Sequence, residues 1–292
     1  HAFHNMDLSK PCLEGPFTYW DLLDFIVKTA EQYGIYMALL PHWGGVYRDG
    51  QITREQMEAY VAFLAERYHD APNIIWVTGG DVRGDEGYEY WCRMGQILKS
   101  RNPDQLVCYH PFGRTTSIDY FPQEDWLDIH MFQSGHSRYD QWEQDEIVDR
   151  GLDTYRFGED NWRYVRRVYE MTDGRVPVLD AEPSYENIPQ GLLSAAEPFW
   201  RDEDSRRYAY WSVFAGACGF TYEPLRPGSY NCWESWKEAI HHPGGDSMVH
   251  LVRLMQEVDF SHGREASALL ECEQGERYGR IALFGNEGYL LG

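Results

Sequence analysis

Six short apolar runs, each preceded by a helical stretch or a linker, constrain this chain more than any other feature of its sequence. A helix over about Phe17 to Tyr33 leads into Ile35 to Leu40, and one over about Thr53 to Tyr68 leads into Ile74 to Val77. Thr53 and Gln56 have the spacing of a capping box at the start of that second helix. A third helix, Gly87 to Ser100, precedes Leu106 to Tyr109, and a linker precedes Leu127 to Met131. Helical sequence over Gln141 to Met171 then runs to Val176 to Leu179, and Ser205 to Ala217 runs to Gly219 to Tyr222. Strands that alternate with helices and read as continuous β-branched runs are buried on both faces, so the pattern predicts a parallel α/β fold. The pattern fits a parallel β/α barrel or a doubly wound sheet; as a (β/α)8 TIM-type barrel, the chain lacks the first two strands, because the opening segment is polar. After a helix over Ser247 to Val258, two strand-like runs, Ala266 to Cys272 and Arg280 to Phe284, read as the start of a C-terminal β module. The expected domains are residues 1–260 for the barrel and 261–292 for the truncated module.

Two strand ends carry acids. Trp76-Val77-Thr78-Gly79-Gly80-Asp81 closes the second run, and Val178-Leu179-Asp180-Ala181-Glu182-Pro183 closes the fifth. Barrel enzymes keep their chemistry where the strands stop, and two carboxyls on different strands are the minimal apparatus for breaking a glycosidic bond. One protonates the departing oxygen, and the other attacks the sugar carbon or activates water. Asp81 and Glu182 are the expected pair. Asp180 shares the strand parity of Glu182, so it is expected either to tune that carboxylate or to bind a sugar hydroxyl. Glu186 is a lower-ranked nucleophile.

Neutral polar and aromatic groups fill out the same strand ends: His42 and Trp43 after the first, His110 after the third, and His130, Gln133 and His136 at the fourth. Tyr185 and Tyr222 flank the fifth and sixth, and Trp76 lies near the end of the second. Such groups orient a polar ligand without burying charge, and amphipathic rings match the C–H faces and hydroxyls of sugars. An isolated strand-end histidine is, by contrast, commonly a structural hydrogen-bonder.

The balance of 26 basic against 47 acidic side chains, a net charge of −21, repels nucleic acid and anionic membrane. No H-x-H or H-E-x-x-H spacing marks a metal site, no G-x-S-x-G elbow marks a serine nucleophile, and Gly79-Gly80-Asp81 lacks the lysine of a phosphate-binding loop. No cofactor or metal is expected. The six cysteines are scattered and read as buried thiols. The longest apolar stretches are of strand length, and no secretory leader pattern is visible. A non-catalytic carbohydrate-binding barrel is the competing reading, and a metal-dependent hydrolase the third.

Several of these motifs, in fixed order, resemble the apiosidase-like glycoside hydrolases, family 140. They are His42-Trp43-Gly44, the Trp76 to Asp81 strand end, Pro177 to Glu186, and Tyr210 to Tyr222, and the similarity spans about Asp7 to Phe260. The resemblance implies a (β/α)8 catalytic barrel followed by a small β-sandwich, acting on plant cell-wall glycans and secreted or periplasmic, although a cytoplasmic location stays open. It carries the acid/base role onto Asp81 and the nucleophile role onto Glu182, with an oligosaccharide or polysaccharide as substrate.

Overall fold

The computed structural model describes residues 2–138, 141, 158–174, 176–192, 194, 196–224 and 236–292. Cys232 and most of the stretch from Gln141 to Asp160 that reads as helical lie outside them. The chain forms two compact units, His1–Phe112 with Ser117–Met131, and Gly113–Thr116 with Phe132–Gly292.

In the first unit, α1 (Tyr19–Gln32), β1 (Met37–Leu39), the short α2 (Gly44–Arg48), α3 (Arg54–Arg67), β2 (Ile74–Val82), α4 (Tyr88–Arg101) and β3 (Leu106–Pro111) succeed one another, and β4 (Ile129–Phe132) begins here. The strands are parallel and neighbours in chain order, with Met37 opposite Ile74, Ile75 opposite Leu106 and Cys108 opposite Ile129. A crossover helix between consecutive parallel strands is what the predicted alternation requires. The local signals explain the helix starts. Thr18 and Asp21 cap α1 reciprocally, and Thr53 and Gln56 do the same for α3, as their spacing predicts.

The core of this unit is aromatic. Trp20, Trp76, Trp91, Tyr109 and Phe121 are wholly buried, and loss of any such ring to alanine costs about 3–5 kcal/mol. Trp76, expected near the site, is instead a core residue. Its Nε1 donates to Gln105 Oε1 at 2.7 Å, and Gln105 in turn donates to the carbonyls of Tyr68 and Ala71. Gly95 lies inside α4, where alanine would ordinarily gain about 1 kcal/mol of helix propensity. A Cβ there, however, would stand 2.2 Å from the Trp126 indole. Such overpacking costs about 1–3 kcal/mol, so Gly95→Ala is expected to lower the urea midpoint, and an unchanged or raised midpoint would contradict this packing.

The second unit contains α5 (Asn161–Thr172), β5 (Val178–Asp180), α6 (Asp202–Phe214), β6 (Gly219–Phe220), α7 (Trp236–Ala239) and α8 (Pro243–Glu257). β5 and β6 are again parallel, with Leu179 opposite Gly219, and Ala181 N donates to Phe132 O at 2.9 Å beside β5. α8 starts at Pro243, earlier than expected, because proline at the first helical position presets the backbone.

At the C-terminal end, β7 (Arg264–Glu265), β8 (Phe284–Asn286) and β9 (Tyr289–Leu291) form a small antiparallel sheet. The two runs expected as strands meet only at their edges: Ala266 N donates to Leu283 O at 2.8 Å and Phe284 pairs with Glu265, while Ser267–Leu269 is a 3-10 turn. The Asn286 side chain accepts from Gly288 N at 2.7 Å and closes a hairpin that places Asn286 opposite Tyr289. Phe284 packs with Ala209, Val213 and Phe214 of α6 and Leu251 and Met255 of α8, so this sheet shares their core.

The five described cysteines form no disulfide; Cys92 and Cys108 are buried as expected, whereas Cys218 and Cys272 are exposed. Among the described residues, no helix is long and apolar enough to cross a membrane.

Candidate functional site

In the second unit, Glu182 leaves β5 at a point where backbone bonds hold the chain on both sides. Gly135 N donates to Glu182 O at 3.2 Å, Thr221 N to Asp180 O at 3.0 Å, and Glu186 N to Glu223 O at 3.1 Å. The Glu182 side chain keeps only 13% of its exposure. Gln133 Nε2 donates to Oε2, while His136 Nε2, at 3.1 Å, and the Tyr185 hydroxyl both approach Oε1. A carboxylate only accepts, so His136 Nε2 carries a proton in this contact. The His136 and Tyr185 rings are 4.4 Å apart, so each limits the other's rotation. Three donors on one half-buried carboxylate fix its orientation and replace the water it has lost. Gln133, His136 and Tyr185, singled out separately from the sequence, are thus brought together on Glu182.

Asp180 is not positioned to touch a ligand. It is 0% exposed, and Ser134 Oγ donates to its two oxygens at 3.1 and 3.0 Å. Burial pushes its carboxyl up to about 8, with the charge of Glu182 adding to the rise and Ser134 and Asn161 opposing it. The expectation of sugar binding is therefore corrected, and what Asp180 shares with Glu182 is a charge interaction. Between about pH 4 and about pH 8, the folded chain holds a proton here that the unfolded chain has released, so raising the pH through that window removes stability. Buried Glu159, pushed up to about 7, acts in the same direction. Asp180→Asn should flatten the fall of the thermal midpoint between about pH 5 and about pH 8, and an unaltered slope would show that Asp180 does not hold this proton.

Glu186 is also corrected, from spare nucleophile or sugar ligand to a structural anchor. It is 3% exposed, accepts from Tyr222 Oη at 2.5 Å and from Gly244 N at 3.0 Å, and lies 3.9 Å from His242 Nδ1. An anion on the first turn of α8 satisfies an orphan N–H and the positive end of the helix dipole. Tyr222 serves that anchor.

A further acid, Glu223, is not among the strand-end acids singled out from the sequence. Burial pushes its carboxyl up, the Glu182 charge adds to the shift, and His136 opposes it, which places Glu223 electrostatically beside the Glu182 cluster. The signal was present: Glu-Pro comes after β5 as Glu182-Pro183 and after β6 as Glu223-Pro224.

In the first unit, Asp81 lies near the end of β2, where the ladder to β3 is irregular between Gly79 and Val82. Gly79, Gly80 and Asp81 all have positive φ, at 84°, 100° and 52°. A Cβ on Gly79 would meet His110 O at 2.4 Å, and one on Gly80 would meet the Trp43 indole at 2.8 Å, so both positions require glycine. A non-glycine residue held at positive φ after two such glycines is backbone strain at a strand end, which argues for a positioned side chain. Trp43 is 43% exposed at the end of β1, and its ring centroid lies 5.6 Å from that of His110 in β3. Asp81, Trp43 and His110 thus gather at the C-terminal ends of β1, β2 and β3.

His42 and His130 do not join them. His42 is 7% exposed, with Nδ1 at 3.0 Å from Trp43 O and Nε2 at 2.8 Å from Tyr90 Oη, and burial holds its pKa down. His130 is 3% exposed, 2.9 Å from Ser117 Oγ, and pushed by burial down to about 4. Both are neutral structural histidines, and their expected sugar contacts are corrected accordingly.

The family model for the Apiosidase-like catalytic domain matches residues 1–262. Comparison with curated proteins returned no match. Among solved structures, a glycoside hydrolase family 5 protein from Bacteroides vulgatus is 39% identical, with a TM-score of 0.85 over 94% of this chain and 61% of that one. Another, described as a glycoside hydrolase, is also 39% identical, with a TM-score of 0.85 over 94% of this chain and 63% of that one. The chain therefore spans somewhat less than two thirds of each of these relatives. Thermotoga maritima Cel5A, solved with mannotriose, is 12% identical with a TM-score of 0.52 over 81% of each chain, a likeness of fold alone.

Proposed function

The chain belongs to the apiosidase-like catalytic-domain family, and from that premise we propose that it hydrolyses a glycosidic bond in a plant cell-wall glycan, with Asp81 as proton donor and Glu182 as nucleophile. The observation that carries this reading is the Glu182 carboxylate at the exit of β5, oriented by Gln133, His136 and Tyr185. Asp81 delivers its proton to the glycosidic oxygen as that bond breaks, and Glu182 forms a bond to the anomeric carbon from the opposite face. Water then enters; Asp81 takes a proton from it as its oxygen bonds to the anomeric carbon, and the bond from that carbon to Glu182 breaks. Two displacements at one carbon return the sugar with its original anomeric configuration.

The substrate we infer is an apiose-bearing side chain of pectin. Trp43 offers an exposed ring face for a sugar, and His110 a polar edge beside it. A secreted or periplasmic site of action accords with such a polymer. The test is product analysis of the full chain on apiose-containing oligosaccharides of rhamnogalacturonan, set against generic aryl glycosides and followed by NMR of the released anomer. Release of a single sugar with retained configuration supports the proposal. Binding of the glycan without release supports the carbohydrate-binding alternative and overturns it.

A further inference from the structure

A cavity of about 470 Å³ in the second unit is lined by α5, the residues just after α6, β7 and Arg280, and includes none of the residues around Glu182. Its organising feature is one indole that carries three guanidiniums. Arg280 lies 3.6 Å from the Trp162 ring centroid, and Arg163 and Arg166 each lie 4.8 Å from it. Guanidinium stacks well on aromatic faces, but stacking satisfies none of its in-plane N–H donors.

The acids of the wall, Glu170, Asp173 and Glu265, match Arg166, Arg264 and Arg280 in number, but none of them lies within hydrogen-bond length of Arg166 or Arg280. Arg163 forms an ion pair with Asp160 at 2.9 Å and is not among the residues that line the cavity. Arg166 and Arg280 share a single carboxylate, Glu265, at 3.8 and 4.0 Å, beyond hydrogen-bond length for both. The Arg280 side chain is only 1% exposed, and its Nε has no hydrogen-bond partner among the described residues. A buried guanidinium in a cavity wall with an unmet Nε donor is expensive unless a ligand completes it. Burial lowers Arg280 to about 10, with the charges of Arg166 and Arg163 adding to the fall, so the group is still cationic at neutral pH.

The remaining lining selects among anions. Glu170 and Asp173 are also in the wall. Their carboxylates repel a dianion such as phosphate but accept hydrogen bonds from hydroxyls. A monoanion that carries several hydroxyls fits both halves, and the volume is that of a small-molecule site. We propose that this cavity binds a sugar acid, whose carboxylate is taken by Arg280 and Arg166 and whose hydroxyls are taken by Glu170 and Asp173. The site does not depend on the reading of Glu182, and it gives the protein a means of holding an acidic sugar apart from the bond it cleaves.

Calorimetric titration of the full chain with glucuronate at neutral pH, with glucose and inorganic phosphate as comparison probes, tests the proposal. Saturable glucuronate binding, with no heat from glucose and weaker binding of phosphate, is expected. Arg166→Gln changes a side chain that is 46% exposed, so the fold should tolerate it. Loss of a charge-assisted bidentate contact should weaken glucuronate by about tenfold or more. Arg280→Lys, which keeps the charge and loses the planar fork, should weaken it similarly, while Glu182→Gln should leave it unchanged. Absence of glucuronate binding, phosphate binding as tightly as glucuronate, or glucuronate binding that is lost in Glu182→Gln but kept in Arg166→Gln would each overturn it.

Discussion

Glu182→Gln should lower kcat on the native glycan by on the order of 10⁴-fold or more while leaving glycan affinity within a few-fold of the parent. Glutamine keeps the shape of the side chain, and its carbonyl oxygen can still accept from His136 Nε2 and the Tyr185 hydroxyl. Its amide nitrogen then faces Gln133, whose own amide can turn to present oxygen. The variant therefore folds with its surroundings satisfied, and what it lacks is the electron pair that attacks carbon. A further variant separates nucleophile from mere support. Glu182→Ala opens a small space at the reacting face, and added azide should restore turnover and yield a glycosyl azide of inverted configuration, since one displacement replaces two. Residual turnover near the parent value, or a retained azide product, would remove Glu182 from the nucleophile role.

Asp81→Asn should cost about 10²–10⁴-fold in kcat on the native glycan, the range for loss of a positioned general acid. The size of the loss should depend on the leaving group. A sugar alkoxide leaves poorly without a proton, whereas a dinitrophenolate leaves unaided, so the first step on a dinitrophenyl glycoside should change by less than about tenfold. Asparagine tolerates the left-handed backbone region as well as aspartate does, so the φ of 52° at this position is not a new strain in the variant. Equal losses on both substrates would mean that Asp81 binds or positions the sugar and does not deliver a proton. With both variants in hand, a double mutant no worse than Glu182→Gln would indicate that the two groups act in one reaction sequence.

Most strands and helices were legible because periodicity and caps are local. The β-branched run ending at Val77 announced β2, and Thr53 with Gln56 announced α3. Thr78 to Val82 were not legible as strand, since Gly79 and Gly80 weaken any propensity; the pairing to β3 extends the strand to Val82. The C-terminal strands were misplaced for a related reason. Short antiparallel strands are defined by partners and a turn, and the Asn286-Glu287-Gly288 turn is a weaker signal than the apolar run before it.

Histidines and acids showed the limit most clearly. His42, His130 and His136 look alike as strand-end histidines, yet Tyr90 and Trp43 enclose the first, Ser117 holds the second, and only the third meets Glu182. Asp180, Glu182, Glu186 and Glu223 are likewise one residue class in sequence. Folding buries Asp180 against Ser134, commits Glu186 to the start of α8, and leaves Glu182 half-buried among three donors. Residue order thus established that acids would stand where strands stop, because apolar runs and the helices between them are encoded locally. Which acid stayed partly exposed among side-chain donors was settled by neighbours distant in the chain, because desolvation and hydrogen bonding depend on atoms that only folding brings near.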